Sequence, residues 1–391
     1  MYVDYTADQM ALRDELRAYF GRLMTPERRG GASAFEGGPV YRETIRQMGA
    51  DGWLGVGFPV DRGGRGFGPR EQLIFFDELR RAGAPFPFVT ISTVAPTLMA
   101  CGTEEQRAFF VPRILAGECH FAIGYTEPDS GTDLASLKTA AVRRGDHWVI
   151  NGQKVFTSGA NDAEYIWLAC RTDPGAPKHK GISIVIVPTE QPGFSCGEIR
   201  TVAGHSTCVT YYNDALAPAE WVVGAVNEGW KLITTQLNHE RIGLAAMAGV
   251  AGLHIEQVAQ WAAETMSDDD RPLIEQPFAN MALAEATALY EAIKVMNWRV
   301  AWEMDAGVLN PAHASMVKVF GSESAIQIYR LLLDVVGSAG IIRGGSPGAV
   351  LQGVLEFEYR QCQINTFGGG VNEIQREIIS MAGLGMPRVP R

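Results

Sequence analysis

The pattern of hydrophobic and polar positions changes period twice along the chain and divides it into three sections. In the first section, residues 1–118, apolar side chains recur every three or four positions, which is typical of amphipathic helices. This spacing predicts helices over residues 9–23, 41–48, 71–81, 89–101 and 104–115. Thr103 precedes the last of these and is a residue type that caps helix N-termini. We therefore expect an N-terminal helical domain.

The middle section, residues 119–224, follows the two-residue period of β-strands. Residues that favour strands, namely Val, Ile and the aromatics, are concentrated at 165–170, 182–187 and 207–212. The Asn151-Gly152 dipeptide lies between two further apolar runs, a strong signal for a two-residue hairpin turn. The section is therefore predicted to be a small β-barrel-like domain, in which this turn joins strands 147–150 and 153–157.

The last section, residues 225–391, returns to the helical period. Residues 230–264 contain no proline, and the small residues from Gly243 to Gly252 allow close helix packing. Further helical patterns cover residues 276–304, 312–336 and 373–381. Four long helices with short connections predict a four-helix bundle. The predicted fold class is thus α+β, with a helical domain, a β domain and a C-terminal bundle in that order.

The composition fits a folded globular protein with a large core. Hydrophobic residues make up 46% of the chain and charged residues 20%. The net charge of −10 disfavours nucleic acid as a partner, because phosphate binding relies on Lys and Arg. The six cysteines form no CxxC pair, which indicates reduced thiols in a cytoplasmic protein and no metal site. We find no signal-peptide core, and no apolar run that approaches the roughly 20 residues of a membrane span.

Two loops are rich in glycine and turn-forming residues. Residues 61–69 resemble a phosphate cradle but lack the GK[ST] ending, so an ordinary loop is favoured. Residues 124–133 follow an apolar run and combine a proline, a glycine and several hydroxyl groups. Such a loop can direct several donors towards one anion or polar ring. Taken by itself, it is equally compatible with an ordinary turn between two strands.

Three motifs in chain order resemble those of the acyl-CoA dehydrogenase family. Residues 125–133 (YTEPDSGTD) resemble its TEPxxGSD signature, with Thr132 in place of serine. Residues 151–158 (NGQKVFTS) resemble its NGxKx[FW]xT segment, with Ser158 in place of threonine. Residues 373–376 match its EIQR ending. The sequence is therefore identified as a member of this family, which has the same order of helical, β and four-helix domains.

The resemblance implies a bound FAD. By this resemblance, six residues of the motifs are expected to contact the cofactor. Tyr125 and Thr126 would contact the isoalloxazine ring, Gly131 and Thr132 the diphosphate, and Phe156 the face of the ring. Ser158 would lie near the reactive nitrogen of the flavin. Donors at the pyrimidine edge of the ring stabilise the anionic reduced flavin. The donor-rich loop at 124–133 is suited to this task.

The resemblance also implies α,β-dehydrogenation of an acyl-CoA thioester to a trans-2-enoyl-CoA. A base removes the α-proton while the β-hydride passes to the flavin. Because this proton is poorly acidic, the base should be a buried carboxylate with a raised pKa. Gly369 occupies the commonest family position of this glutamate. A second family position, in an ER pair on the first bundle helix, is Glu240, which we predict to be the catalytic base. Substrate contacts are predicted for Thr132, Asn238, Arg241 and Gly369.

The chain departs from the family pattern at two further places. Both concern residues that, in family homotetramers, complete the FAD site of a neighbouring subunit. Residues 264–276 offer only Arg271 where the family has an RxxFG motif. Asp334 replaces a glutamine and would repel a diphosphate. In lacking these residues, the chain resembles the actinobacterial family members that act on steroid side chains as two-plus-two heterotetramers. We therefore expect a second acyl-CoA dehydrogenase-like subunit and about one FAD for each pair of chains.

Three alternatives remain at the level of sequence. The chain could form a homotetramer acting on a short or branched acyl-CoA or a carrier-protein thioester. It could be a flavin oxidase or monooxygenase with the same fold. It could also be a non-catalytic partner subunit, although Glu240 and the intact loop argue against that. For a dehydrogenase, the family implies an electron-transfer flavoprotein as the electron acceptor.

Overall fold

The structure is a computed structural model that describes residues 4–31, 37–234, 236 and 249–387. Its N-terminal part contains α1 (Ala7–Leu23), α2 (Pro26–Gly31), α3 (Pro39–Ala50), α4 (Pro69–Arg81), α5 (Ala95–Cys101) and α6 (Glu104–Leu115). A π-helical turn, Val89–Val94, leads into α5. At the start of α6, the Thr103 hydroxyl accepts a hydrogen bond from the backbone of Gln106, whose side chain accepts one from the backbone of Thr103. The predicted helices of this section and the Thr103 cap are confirmed.

The middle part is a mixed eight-stranded sheet. Its strands are β1 (Phe121–Gly124), β2 (Ala140–Arg144), β3 (His147–Lys154), β4 (Tyr165–Arg171), β5 (Ile182–Pro188), β6 (Phe194–Arg200), β7 (Ser206–Pro218) and β8 (Val222–Val223). The strand order is β6-β7-β3-β2-β4-β5-β8, and β1 pairs with β4 in parallel. Strands β4 and β5 are buried on both faces, one against the N-terminal helices and the other inside the β domain.

The hairpin predicted at Asn151-Gly152 is wrong, because both residues lie inside the continuous strand β3. The turn between β2 and β3 lies at Gly145, which adopts a φ of 62°. At Gly152, an added Cβ would lie 2.6 Å from the Thr139 hydroxyl oxygen. This glycine therefore allows a close approach between two segments, the other usual reason for glycine inside a strand.

Strand β7 carries a bulge opposite Asn151. Ile150 pairs with Ala215, whereas Gly152 pairs with Tyr212, so β7 has one extra residue between the two pairs. Asp214 in this bulge has a φ of 52°, and its backbone N–H donates to the Asn151 side chain at 3.0 Å. The bulge allows both Tyr212 and Ala215 to face the interior of the β domain.

Among the described residues of the C-terminal part, five helices follow: α7 (Gly249–Glu264), α8 (Pro277–Asp305), α9 (Pro311–Val336), α10 (Val354–Cys362) and α11 (Asn372–Ile378). Residues 229–234 and 236 are helical as well. Helix α9 packs against each of the other four. The prediction located α8, α9 and α11 within a few residues, but it did not include α10.

In the described part of the chain, one helix is long and apolar enough to cross a membrane by length and composition, at Pro311–Ile341. By that measure, the expectation that no segment approaches a membrane span is wrong. The segment contains α9, whose residues Ala314, Ile328 and Leu332 are buried against the rest of the protein. The core helix of a globular protein passes the same test, because it is also long and apolar.

Candidate functional site

The loop that follows β1 is folded back on itself. Glu127 and Ser130 exchange two backbone hydrogen bonds of 3.0 Å, which closes a tight turn around Pro128. The Ser130 hydroxyl donates to the carbonyl of Asp133 at 2.9 Å. The side chain of Ser130 is thereby occupied within the loop, and the segment from Gly131 to Asp133 remains exposed at the surface.

A buried ion pair joins this loop to the end of β3. The Lys154 ammonium donates to the Glu127 carboxylate at 2.8 Å and to the carbonyl of Tyr125 at 2.9 Å. Glu127 also accepts hydrogen bonds from the backbone N–H groups of Lys138 and Thr139, at 2.7 and 2.8 Å. Burial by itself would raise the pKa of Glu127, but Lys154 and these donors hold that pKa below its usual value. The carboxylate is therefore charged and fully partnered.

The segment after Lys154 lies directly beside the loop. The Val155 N–H donates to the carbonyl of Thr126 at 2.8 Å. Phe156 has a φ of 60° and leaves 63% of its surface exposed, which is unusual for an aromatic residue. The Ser158 hydroxyl is 2.9 Å from that of Thr207 on β7. The motif segments 125–133 and 151–158 therefore form one surface, as the sequence analysis requires.

Tyr125 is connected to the start of the bundle by its hydroxyl group. This hydroxyl donates to the Gln236 side-chain oxygen at 2.7 Å. The indole N–H of Trp167, which is fully buried, donates to both of these oxygens at 3.1 Å. The Tyr125 hydroxyl is thus engaged in a protein network, which leaves its backbone and ring edge as the parts that could contact a cofactor.

Several backbone donors on this surface have no acceptor among the residues that the structure describes, and they include the N–H groups of Thr126, Gly131 and Thr132. The nearest atom to an added Cβ at Gly131 would be a Thr126 methyl carbon at 3.9 Å. The surface therefore combines available donors with room for a close approach. This is the arrangement in which a polar ring or a diphosphate can be bound through the backbone.

Gly369 lies in a turn between α10 and α11. It has a φ of 65° and its neighbour Gly370 one of 103°, values that favour glycine. The turn is held by Lys318, whose ammonium donates to the carbonyl of Thr366 at 3.2 Å and to the Asn372 side chain at 2.7 Å. Burial lowers the pKa of Lys318 to about 8, against the opposing effect of nearby carboxylates. Gly369 itself offers no side chain for proton transfer.

The catalytic candidate Glu240 and the substrate candidates Asn238 and Arg241 lie outside the described residues. Their roles therefore remain predictions from the sequence. In the described ranges, no group of three or more His, Cys, Asp or Glu side chains could hold a metal ion. The six cysteines are free.

Sequence reasoning missed the residues that hold the site together, namely Glu127, Lys154, Trp167 and Gln236. Glu127 and Lys154 stand in the two quoted motifs, so the motifs contained the signal. A buried lysine in a strand also needs an anionic partner, which could have suggested the pairing. Gln236 lies one turn before Glu240 in the sequence, but nothing in its own neighbourhood indicates a contact with Tyr125.

The chain matches family models over almost its whole length. The models for the N-terminal, middle and C-terminal domains of acyl-CoA dehydrogenases match residues 6–118, 122–214 and 227–384. The chain is 51% identical to the acyl-CoA dehydrogenase FadE26 of Mycobacterium tuberculosis, with both chains covered completely.

Two solved structures are similar to this chain over its whole length. One is the ChsE4–ChsE5 complex of Mycobacterium tuberculosis, with a TM-score of 0.94 at 51% identity and complete coverage of both chains. Another, described as the Tcur3481–Tcur3483 steroid ACAD, has a TM-score of 0.94 at 52% identity, again over both whole chains. The chain therefore belongs to the acyl-CoA dehydrogenase family and is an oxidoreductase acting on the CH–CH bond of acyl-CoA thioesters.

Proposed function

We propose that this chain binds FAD and converts an acyl-CoA to its trans-2-enoyl-CoA, with a steroid side-chain thioester as substrate and a second subunit as partner. One observation above all supports this proposal: residues 125–133 and 151–158 lie side by side and form one surface with available hydrogen-bond donors. The Lys154–Glu127 ion pair and the Val155–Thr126 hydrogen bond fix that surface. The family generally binds FAD, which supports the choice of cofactor.

The residues present fit an FAD. Its polar ring edge and diphosphate need donors, and the N–H groups of Thr126, Gly131 and Thr132 are available for them. A flat aromatic ring needs an apolar contact, for which the exposed side chain of Phe156 is suited. Ser158 adds a hydroxyl group beside that contact. When bound, FAD accepts the hydride that leaves the β-carbon of the substrate.

The proposed base, Glu240, is supported by the position of Gln236. Gln236 is helical and contacts Tyr125 in the loop after β1. Residues four positions apart share one face of an α-helix, so the helical period predicted from the sequence for residues 230–264 assigns Glu240 to the same face as Gln236. A carboxylate there could remove the α-proton of a thioester bound beside the flavin, while Gly369 leaves room for the acyl group.

Replacing Glu240 by Gln tests the assignment of the base. We expect a loss of turnover of about 10²- to 10⁴-fold, the usual contribution of a general base, with the bound flavin retained. Flavin reduction by a steroid side-chain acyl-CoA, followed by its absorbance, measures this loss. Glu256→Gln on α7 is the matched control, since Glu256 is an exposed ion-pair partner of Arg81. Turnover within about threefold of the parent would show that Glu240 is not the base.

The steroid substrate is supported by relatives. One similar structure is described as a steroid ACAD, and both similar structures are complexes of two named chains. Comparing kcat/KM for a steroid side-chain acyl-CoA with that for a short acyl-CoA tests this choice. A preference for the short thioester would favour the homotetrameric alternative.

A partner subunit is supported by an exposed stripe on α8. Met281, Ala288, Val295 and Trp302 recur every seven residues on the solvent side of this helix. An apolar seven-residue repeat is the pattern by which helices pack against one another. We propose that this stripe is covered by another subunit. A cytoplasmic location is part of the same proposal, supported by the free cysteines.

A further inference from the structure

The glycine turn, residues 367–370, lies between α10 and α11 and contains the substrate candidate Gly369. Gly369 and Gly370 are exposed, and their φ values of 65° and 103° favour glycine at both positions. The N–H groups of these two glycines have no acceptor among the residues that the structure describes. The glycine turn therefore offers a ligand two backbone donors, without a side chain at either position.

Both ends of the glycine turn are bound to one side chain of a neighbouring helix. The ammonium group of Lys318 on α9 donates to the carbonyl of Thr366, directly before the turn, at 3.2 Å. The same ammonium donates to the side-chain oxygen of Asn372, two residues after the turn, at 2.7 Å. Lys318 thus bridges the turn and limits how far its two ends can move apart.

Asn372 is also held by other side chains of α9. It is buried, and its amide nitrogen donates to the Ser322 hydroxyl and to the Glu323 carboxylate, each at 3.0 Å. Glu323 is paired as well with Arg376 on α11, at 2.6 Å. Because the oxygen of Asn372 is bonded to Lys318 and its nitrogen to two acceptors, the orientation of this side chain is fixed. Helix α9 therefore holds the start of α11 together with the glycine turn.

Lys318 is half-buried and remains charged at neutral pH. Burial lowers its pKa to about 8, while the carboxylates of Glu323 and Glu373 oppose this shift. Residues 363–371 contain no titratable side chain, so Lys318 is the charged group that contacts this segment from α9. Hydrogen bonds from a charged donor are stronger than those between neutral groups. The ammonium group is therefore suited to hold a segment whose glycines give it many accessible conformations.

We propose that Lys318 is a positioning residue for the acyl-CoA, which holds the glycine turn in the one conformation that receives the substrate. This inference rests on the proposed function and adds a residue to its substrate site. Lys318 does not touch the substrate; it acts through Thr366 and Asn372 on the turn between them. Without Lys318, the turn populates other conformations, and the apparent affinity falls by the fraction of molecules in the competent one.

Lys318→Met tests this role in the protein with its partner, with the CoA thioester of a steroid acid that has a three-carbon side chain as substrate. We expect KM to rise by about 10-fold, as the loss of a hydrogen bond to a charged group implies, and kcat to change by less than about threefold. The flavin content should stay that of the parent, because Lys318 bonds to Thr366 and Asn372 and not to the flavin surface. A purely structural defect has a different signature, since a smaller folded fraction lowers kcat and the flavin content and leaves KM unchanged.

Lys294→Met is the matched control, because Lys294 on α8 is paired with Glu291 at 3.0 Å; its KM should equal that of the parent. Lys318→Arg should recover most of the affinity, since a guanidinium keeps the charge and several donors. Asn372→Ala removes the second contact of Lys318 and should also raise KM, and it decides the question if Lys318→Met does not fold. An unchanged KM in the variant that decides, or a loss of kcat and flavin at unchanged KM, would overturn the inference.

Two measurements without turnover separate this inference from the proposed function. Hydrogen–deuterium exchange of residues 363–371 in the absence of substrate should be faster in Lys318→Met than in Lys294→Met, and equal rates would overturn the inference. Calorimetry gives the affinity for the same thioester. If the thioester does not reduce the flavin, the proposed function fails, whereas its weaker binding to Lys318→Met than to the parent still supports the role of Lys318. If the thioester does not bind to the parent protein, both proposals are overturned.

Discussion

At the scale of single residues, the ion pair between Lys154 and Glu127 determines whether the flavin surface forms. Both side chains are buried, so removing one leaves the other charged and without its partner. Lys154→Met should lower the free energy of unfolding by about 3–5 kcal/mol, measured by urea denaturation, and weaken FAD retention. Lys138→Met is the control: Lys138 is exposed and lies 3.7 Å from Asp129, so its replacement should cost less than about 1 kcal/mol. Equal stabilities of the two variants would contradict this account.

The residues of this surface were predictable only in part. Tyr125, Thr126 and Phe156 followed from motifs, since motifs record which residue types recur at fixed spacing. The contact between Gln236 and Tyr125 joins positions 111 residues apart, and no local pattern reports such a pair.

At the scale of elements, the packing of α7 against α9 makes the bundle sensitive to acid. Burial lowers the pKa of His254 on α7 to about 4, whereas an unfolded histidine has a pKa of about 6.5. Between these values the unfolded chain binds a proton that the folded chain does not, so stability falls as the pH falls from 6.5 to 4. The slope from this group is at most about 1.4 kcal/mol per pH unit.

His254→Phe should flatten this dependence, measured as the free energy of unfolding at several pH values. His147 on β3 provides the control, because its side chain is 44% exposed, and His147→Gln should leave the slope unchanged. His120 and His205 also have pKa values that burial lowers to about 4, so part of the slope should remain in His254→Phe. An unaltered slope in that variant would show that His254 takes up a proton without unfolding.

The elements themselves differ in how well their sequences predict them. Long amphipathic helices such as α1 and α8 follow from a period repeated over several turns. The nine residues of α10 are too few for a clear period, and they follow a stretch rich in glycine. The hairpin prediction at Asn151-Gly152 failed because this dipeptide occurs for two reasons: at hairpin turns, and inside strands where another segment approaches closely. Gly152 is needed for the approach of Thr139, whereas the turn uses Gly145.

At the scale of the whole molecule, the apolar stripe on α8 predicts how the chain assembles. Val295 lies in the middle of that stripe with 53% of its surface exposed. Val295→Glu should place a charge in the proposed interface and reduce the assembly to smaller species, measured by analytical ultracentrifugation. Ala263→Glu, which adds the same charge at an exposed position of α7, should leave the assembly intact. An unchanged mass for Val295→Glu would mean that the stripe is not an interface.

The flavin content should depend on that assembly. We expect about one FAD for each pair of chains when the chain is co-purified with a partner subunit, because Asp334 and the region around Arg271 are poorly suited to complete a neighbour's site. The flavin-to-protein ratio, read from absorbance, measures this. A lone chain that forms a tetramer with one tightly bound FAD per subunit is the result that rules out the heteromeric proposal.

The bulge in β7 marks a point at which the length of this chain can change. Side chains alternate between the two faces of a regular strand, yet Tyr212 and Ala215 both face the interior with two residues between them. Deleting Asn213 or Asp214 would leave one residue between them, which restores an unbroken ladder and keeps both side chains on the interior face. A related chain with a single gap at this point is therefore compatible with the same sheet, whereas a single gap elsewhere in β7 would turn the side chains beyond it to the other face.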